Sequence, residues 1–132
     1  MLGLFGLFGR SRTMRRLDDA LRDAGVHQRA LPDAVKLAIL KLLGGTRGDG
    51  PDAAACTDAA ELVGYCVLGA QGFHEGAGLA RTEAVETRIN AALADGGSLD
   101  ARLVLLTLHS GTIQASVVDR YDLRADEAGS PD

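Results

Sequence analysis

The chain has 132 residues and a mass of 13.7 kDa, the size of one domain. Its 46% apolar and 24% charged residues exclude bulk disorder, and two cysteines exclude a dense disulfide framework. A net charge of −4 argues against nucleic acid as the main partner. No uninterrupted apolar run approaches the ~20 residues of a membrane-spanning helix. Aromatic residues make up only 4% of the chain, which favours helices over sheets. The excess of Arg over Lys, with many Ala and Gly residues, is typical of a bacterial coding bias.

The N-terminus, residues 1–10, combines an apolar cluster with the start of a basic one. Large apolar side chains separated only by glycine are followed by arginines, and no acid occurs before Asp18. The apolar residues are Leu2, Leu4, Phe5, Leu7 and Phe8, and the basic residues are Arg10, Arg12, Arg15 and Arg16. A secretory signal has the opposite polarity, and N-myristoylation requires Gly where Leu2 stands. We therefore expect a cytoplasmic protein, with peripheral contact at a membrane as an open alternative.

Helical patterns then follow one another from residue 11 to residue 123. The first opens at Ser11 and stops at Gly25, and its apolar residues recur at spacings of three and four. The second starts near Pro32 and ends at residues 44–45. Leu37 and Leu40 make it apolar on all sides, which predicts a central position in the bundle.

A third predicted helix opens at residues 51–52 and fails by Gly69. Residues 69–78 are rich in glycine and predict a linker, with Phe73 plugging the core. Three more helices are predicted over residues 79–94, over residues 99–109 with Ser98 as N-cap, and over residues 117–121. Residues 124–132 read as an acidic, frayed tail. The prediction is a single compact all-α domain of five or six helices over residues 11–123, bundle-like and without a β-sheet.

The cysteines and histidines are the candidates for metal binding or nucleophilic catalysis. Cys56 and Cys66 lie ten residues apart, which matches no zinc-ligand spacing, and both fit apolar helix faces. If Cys66, His74 and His109 converged at one end of the bundle, they would form a metal site or a Cys-His nucleophile pair. Nothing in their spacing demands this, so we expect no cofactor.

Two functions from different classes follow. The first is a non-enzymatic interaction module that docks through the apolar-basic N-terminus onto a partner protein, a second copy of the chain or a membrane surface. The second is a small metal-binding protein or Cys-His enzyme. The structural alternative for the N-terminus is that its apolar residues fill the core of their own domain. A pocket between helices for an apolar small molecule stays open, as does the oligomeric state.

Overall fold

The computed structural model describes residues 11–44 and 50–123, and within these ranges all regular secondary structure is helical. A short 3-10 turn, Gln28–Ala30, joins the first two α-helices. In chain order the helices are α1 (Arg12–Asp23), α2 (Asp33–Leu42), α3 (Ala53–Ala77), α4 (Leu79–Ala94), α5 (Leu99–His109) and α6 (Ala115–Tyr121). No strand occurs in these ranges, and the helices pack as one bundle-like domain. The predicted all-α class is confirmed.

Most helix ends lie where local chemistry predicts them. The Ser11 hydroxyl accepts the Met14 amide at 3.1 Å and caps α1, and Gly25 ends the helix at a φ of +94°. The Ser98 hydroxyl accepts the Ala101 amide at 3.1 Å and caps α5. The predicted bounds of α4 and α5 are those observed. Capping groups and glycines therefore set these boundaries without help from tertiary structure.

The central helix is α3 and not α2. It packs against α1, α4, α5 and α6, and its Leu62, Val63 and Tyr65 are fully buried. The prediction that α2 is central is wrong, because α2 packs mainly against α1 and α5 and leaves Leu37 47% exposed. A pattern that is apolar on all sides shows which helix faces would gain from burial, but not which faces contact another helix in the fold. The outer face of α2 is thus apolar and unpartnered by the described helices.

The third helix is broken at Gly69 as predicted, but the predicted linker over residues 69–78 is wrong. Residues up to Ala77 are helical, and the only non-helical backbone inside α3 is at Gly69, with φ +84° and ψ +167°. Glycine inside a helix costs about 0.5–1 kcal/mol relative to alanine. Here that cost is offset by burial of Phe73, which is 1% exposed and packs edge-on against the Tyr65 ring at 6.0 Å. The expected core role of Phe73 is confirmed.

By length and composition, α3 resembles a membrane-spanning helix. Half of its apolar stretch is buried inside the bundle, and Gly69 interrupts it. The core helix of a soluble protein meets the same criteria. Its place among the other helices accounts for its apolar composition.

Buried and half-buried ion pairs connect neighbouring helices. The Lys36 ammonium of α2 lies 2.8 Å from a carboxylate oxygen of Asp18 on α1, and Lys36 is only 1% exposed. On α4, the Arg88 guanidinium forms two bonds to Asp100 of α5, at 2.9 and 2.8 Å. It also donates to the Asp58 carbonyl of α3 at 2.9 Å. These bonds tie α2 to α1 and lock α4, α5 and α3 together.

Candidate functional site

The arginines after the apolar N-terminus separate into two groups. Leu2, Leu4, Phe5, Leu7, Phe8 and Arg10 lie outside the described residues. Arg12 and Arg15 are exposed on the first turns of α1, three positions apart and therefore on one side of the helix. Arg16 is half-buried and donates to the Pro51 carbonyl at 3.0 Å. Arg16 thus fastens the start of α1 to the start of α3, whereas Arg12 and Arg15 present their charges to solvent.

The structure does not assemble Cys66, His74 and His109 into a metal-binding group. All three lie within the described residues, and there no group of three or more His, Cys, Asp or Glu side chains is placed to hold a metal ion. Cys66 is fully buried, and burial raises the pKa of its thiol from 9.0 to about 11. A thiol with that pKa is protonated at neutral pH and is a poor nucleophile. His74 and His109 are exposed.

A polar cleft of about 720 Å³ beside Gly69 was not anticipated from the sequence. At its base the buried Tyr65 hydroxyl donates to a carboxylate oxygen of Glu86 at 2.7 Å and lies 3.3 Å from the Tyr121 hydroxyl. Arg120 pairs with the same Glu86 oxygen at 3.2 Å. Burial is the main cause that raises the pKa of Tyr65 far above its ordinary value, so its hydroxyl stays protonated. This cluster stabilises the junction of α3, α4 and α6.

The side chains of Gln114 and Ser116 bond to each other at the cleft. The backbone N–H of Gln114 donates to the backbone carbonyl of Cys66 at 2.8 Å, three residues before the break at Gly69. The Ser116 hydroxyl donates to the Gln114 side-chain oxygen at 3.2 Å. Both side chains therefore cover the break in α3, and the cleft presents no activated nucleophile or base. The one sequence signal for it is Gly69, which marks the break but not the residues that gather around it.

A second cleft is apolar and lies between α2 and α5. We call it the α2–α5 groove; its volume is about 430 Å³, and it is lined by Ala38, Lys41, Leu42, Arg102, Leu105, Leu106 and His109. The groove is shallow. Its aliphatic residues, Ala38, Leu42, Leu105 and Leu106, are called the floor below, and the exposed Lys41 of α2 and Arg102 of α5 are called the rim. Leu105 also lines a smaller apolar cleft of about 160 Å³ between α5 and α4. Hence α5 buries one face in the bundle and shows a second apolar face to solvent.

No protein-family model matches the chain, and neither a curated protein nor a solved structure is significantly similar to it. A function for this chain therefore has to be inferred from its own residues. Within the described ranges, two surface features stand out. The features are the exposed arginines next to the apolar N-terminus and the α2–α5 groove.

Proposed function

We propose that the protein is a non-enzymatic helical interaction module that docks through its apolar-basic N-terminus. The observation that carries the proposal is the continuous core that the described helices build from their own side chains, among them Leu17, Ile39, Leu62, Ile89 and Leu103, each at most 1% exposed. A domain with such a core can dispense with the large apolar residues at positions 2–8. Those residues are then available to a partner.

The apolar side chains of the segment and the arginines next to it suit an apolar binding surface with negative charges at its edge. Burying one large apolar side chain contributes about 1.5–3 kcal/mol, so two or three of the five anchors support reversible binding even after the segment is ordered. The exposed Arg12 and Arg15 stand next to the segment and add attraction to carboxylates or anionic headgroups. A groove on a partner protein is the first expectation. A second copy and an anionic membrane surface are the other acceptors.

A full-length variant with Leu2, Leu4, Phe5, Leu7 and Phe8 replaced by serine tests the proposal. It keeps the length, the charges and the helical domain, and a variant with Arg12 and Arg15 changed to Gln is the matched test of the charges. Association is measured by sedimentation velocity, by co-sedimentation with anionic vesicles and by crosslinking in a cell extract, competed with a peptide of residues 1–16. The crosslinker is at position 6, a glycine that the serine variant leaves unchanged. Far-UV circular dichroism and urea unfolding monitor the fold.

The proposal predicts that association in at least one of the three assays disappears in the serine variant, while unfolding changes little. It predicts a smaller, salt-dependent loss for the Gln variant. If all three assays give the same association for the parent and the serine variant, the proposal is wrong. It is equally wrong if the serine variant fails to fold, because the segment then belongs to the core.

A further inference from the structure

We infer that the α2–α5 groove is a docking site for an acidic amphipathic helix of a partner protein. This inference rests on the described helices and does not depend on the N-terminal segment. It adds a second interaction surface to the molecule. This surface is basic at its rim, whereas the chain as a whole is acidic.

The apolar floor of the groove continues onto a helix face that the bundle leaves open. On α2, Leu37 is 47% exposed, and Ala38 and Leu42, four positions apart, are only partly covered. On α5, Leu105 and Leu106 are likewise partly covered. A third helix can pack on the aliphatic surface between two neighbouring helices. Its own apolar side chains then make the contacts, at every third or fourth position.

The charges at the rim select the partner. Lys41 on one wall and Arg102 on the other are exposed, and neither has an ion pair within the described ranges. Among the described residues that line the groove there is no Asp or Glu. By contrast, Lys36 and Arg88 are paired with carboxylates elsewhere in the bundle. The groove is therefore a basic-rimmed apolar surface on a protein of net charge −4.

This charge pattern disfavours two of the occupants that the chain itself could supply. A third, the acidic stretch 124–132, contains no Leu, Ile, Val, Met or aromatic side chain and cannot fill the aliphatic floor. A second copy would bring its own Lys41 and Arg102 against the same pair if the grooves faced each other. The N-terminal segment is followed by Arg10 and Arg12 and lacks any acid. A helix with leucine-like side chains on one face and glutamates or aspartates at its flanks satisfies both the floor and the rim.

The groove is short, which limits the affinity. From Arg102 to His109 α5 rises about 10 Å, or two turns, so about two or three anchors of a bound helix are covered. We expect dissociation constants in about the micromolar range. Opposite charges at the rim act on association rate and selectivity more than on raw affinity, and they weaken as salt is raised.

The test uses two synthetic fluorescein-labelled amphipathic helices of about 18 residues, five turns long. Both carry leucine on one face; one has glutamates at the flanking positions and the other has lysines there. Fluorescence anisotropy is recorded against the full-length protein at low and high salt. We expect the acidic peptide to bind about tenfold more tightly than the basic one at low salt.

Charge reversal locates the binding. Arg102→Glu and Lys41→Glu are each expected to weaken the acidic peptide about five- to tenfold. Arg29→Glu is the matched control, because Arg29 is exposed outside the groove and the change in net charge is the same. These three substitutions are on the surface, so the helical domain is expected to keep its circular dichroism spectrum.

Four results overturn the inference. The first two are equal affinities for the two peptides and an equal loss of affinity from Arg102→Glu and from Arg29→Glu. The third is a self-association that Arg102→Glu abolishes. The fourth is binding of anionic vesicles that Arg102→Glu abolishes while neither peptide binds. Deletion of residues 1–9 should leave the peptide affinity unchanged; a rise would assign the groove to the chain's own N-terminus. The deletion also separates this inference from the proposed function, which concerns association through residues 1–9.

Discussion

At Gly69, an added methyl group would be strained by the backbone conformation and by close side-chain contacts. The Gly69 φ of +84° and ψ of +167° lie in a region that is essentially limited to glycine, and forcing alanine there costs about 1–3 kcal/mol. An added Cβ would also lie 2.9 Å from the Gln114 side-chain oxygen and 3.1 Å from the Ser116 hydroxyl. Both are side-chain ends that can turn away, at the loss of a hydrogen bond of about 0.5–1.5 kcal/mol. Gly69→Ala should therefore destabilise the protein by about 2–4 kcal/mol.

Gly76→Ala is the matched control for this prediction. Gly76 is in the same helix and exposed, and nothing lies within 4 Å of the position that its Cβ would take. Alanine is favoured over glycine inside a helix by about 0.5–1 kcal/mol, so this substitution should stabilise. The assay is urea unfolding followed by far-UV circular dichroism. If Gly69→Ala is as stable as the parent, or if both substitutions destabilise equally, the reasoning about the break is refuted.

Three further predictions concern buried polar groups. Lys36→Met should destabilise by about 3–5 kcal/mol, since it breaks the buried ion pair with Asp18 and removes the donor to the Gln28 carbonyl, while Lys41→Met on the exposed face of the same helix should have little effect. Tyr65→Phe should cost about 1–2 kcal/mol through loss of its bond to a carboxylate. Stability should be retained below pH 9.0 and fall as pH rises toward about 11, because burial raises the pKa of the Cys66 thiol and the unfolded chain loses its proton first. Cys66→Ala should make that fall smaller.

Urea unfolding over a series of pH values measures all three. Equal stabilities of the two Lys→Met variants would contradict the structural role of the Lys36 ion pair. A Tyr65→Phe variant as stable as the parent would show that the hydroxyl is not held as described. A Cys66→Ala variant with the same alkaline slope as the parent would show that the thiol does not contribute to it.

Helix boundaries were predictable because local groups set them. Ser11 and Ser98 offer hydroxyls to first-turn amides, and Gly25 takes a left-handed backbone conformation that other residues avoid. None of these interactions reaches beyond a few residues along the chain. The fold class followed from the same signals, together with the shortage of aromatic and alternating segments.

Packing was not predictable from the same patterns. The glycines after Gly69 predicted a loop, but burial of Phe73 against Tyr65 keeps the segment helical. The apolar surround of α2 predicted a central helix, but the bundle covers only part of it. In both places tertiary contacts override local propensity. The partly covered Ala38 and Leu42 of α2 line the α2–α5 groove.

The candidate site was partly predictable. Arg12 and Arg15 are solvent-exposed, as an electrostatic role requires, but nothing in the spacing of the arginines set Arg16 apart. Its bond to the Pro51 carbonyl depends on where α3 begins, 35 positions along the chain. The basic rim of the groove likewise pairs Lys41 with Arg102 across two helices, and only the fold brings these residues together.

Fluorine NMR of the chain labelled with fluorophenylalanine tests the location of the N-terminal segment most directly. The chain contains three phenylalanines, Phe5, Phe8 and Phe73, and Phe73 is an internal standard because it is 1% exposed. In the monomer, a soluble paramagnetic agent should broaden the resonances of Phe5 and Phe8 and leave that of Phe73 sharp. If all three resonances are protected in the monomer, residues 1–9 belong to the core and the proposed docking function is wrong.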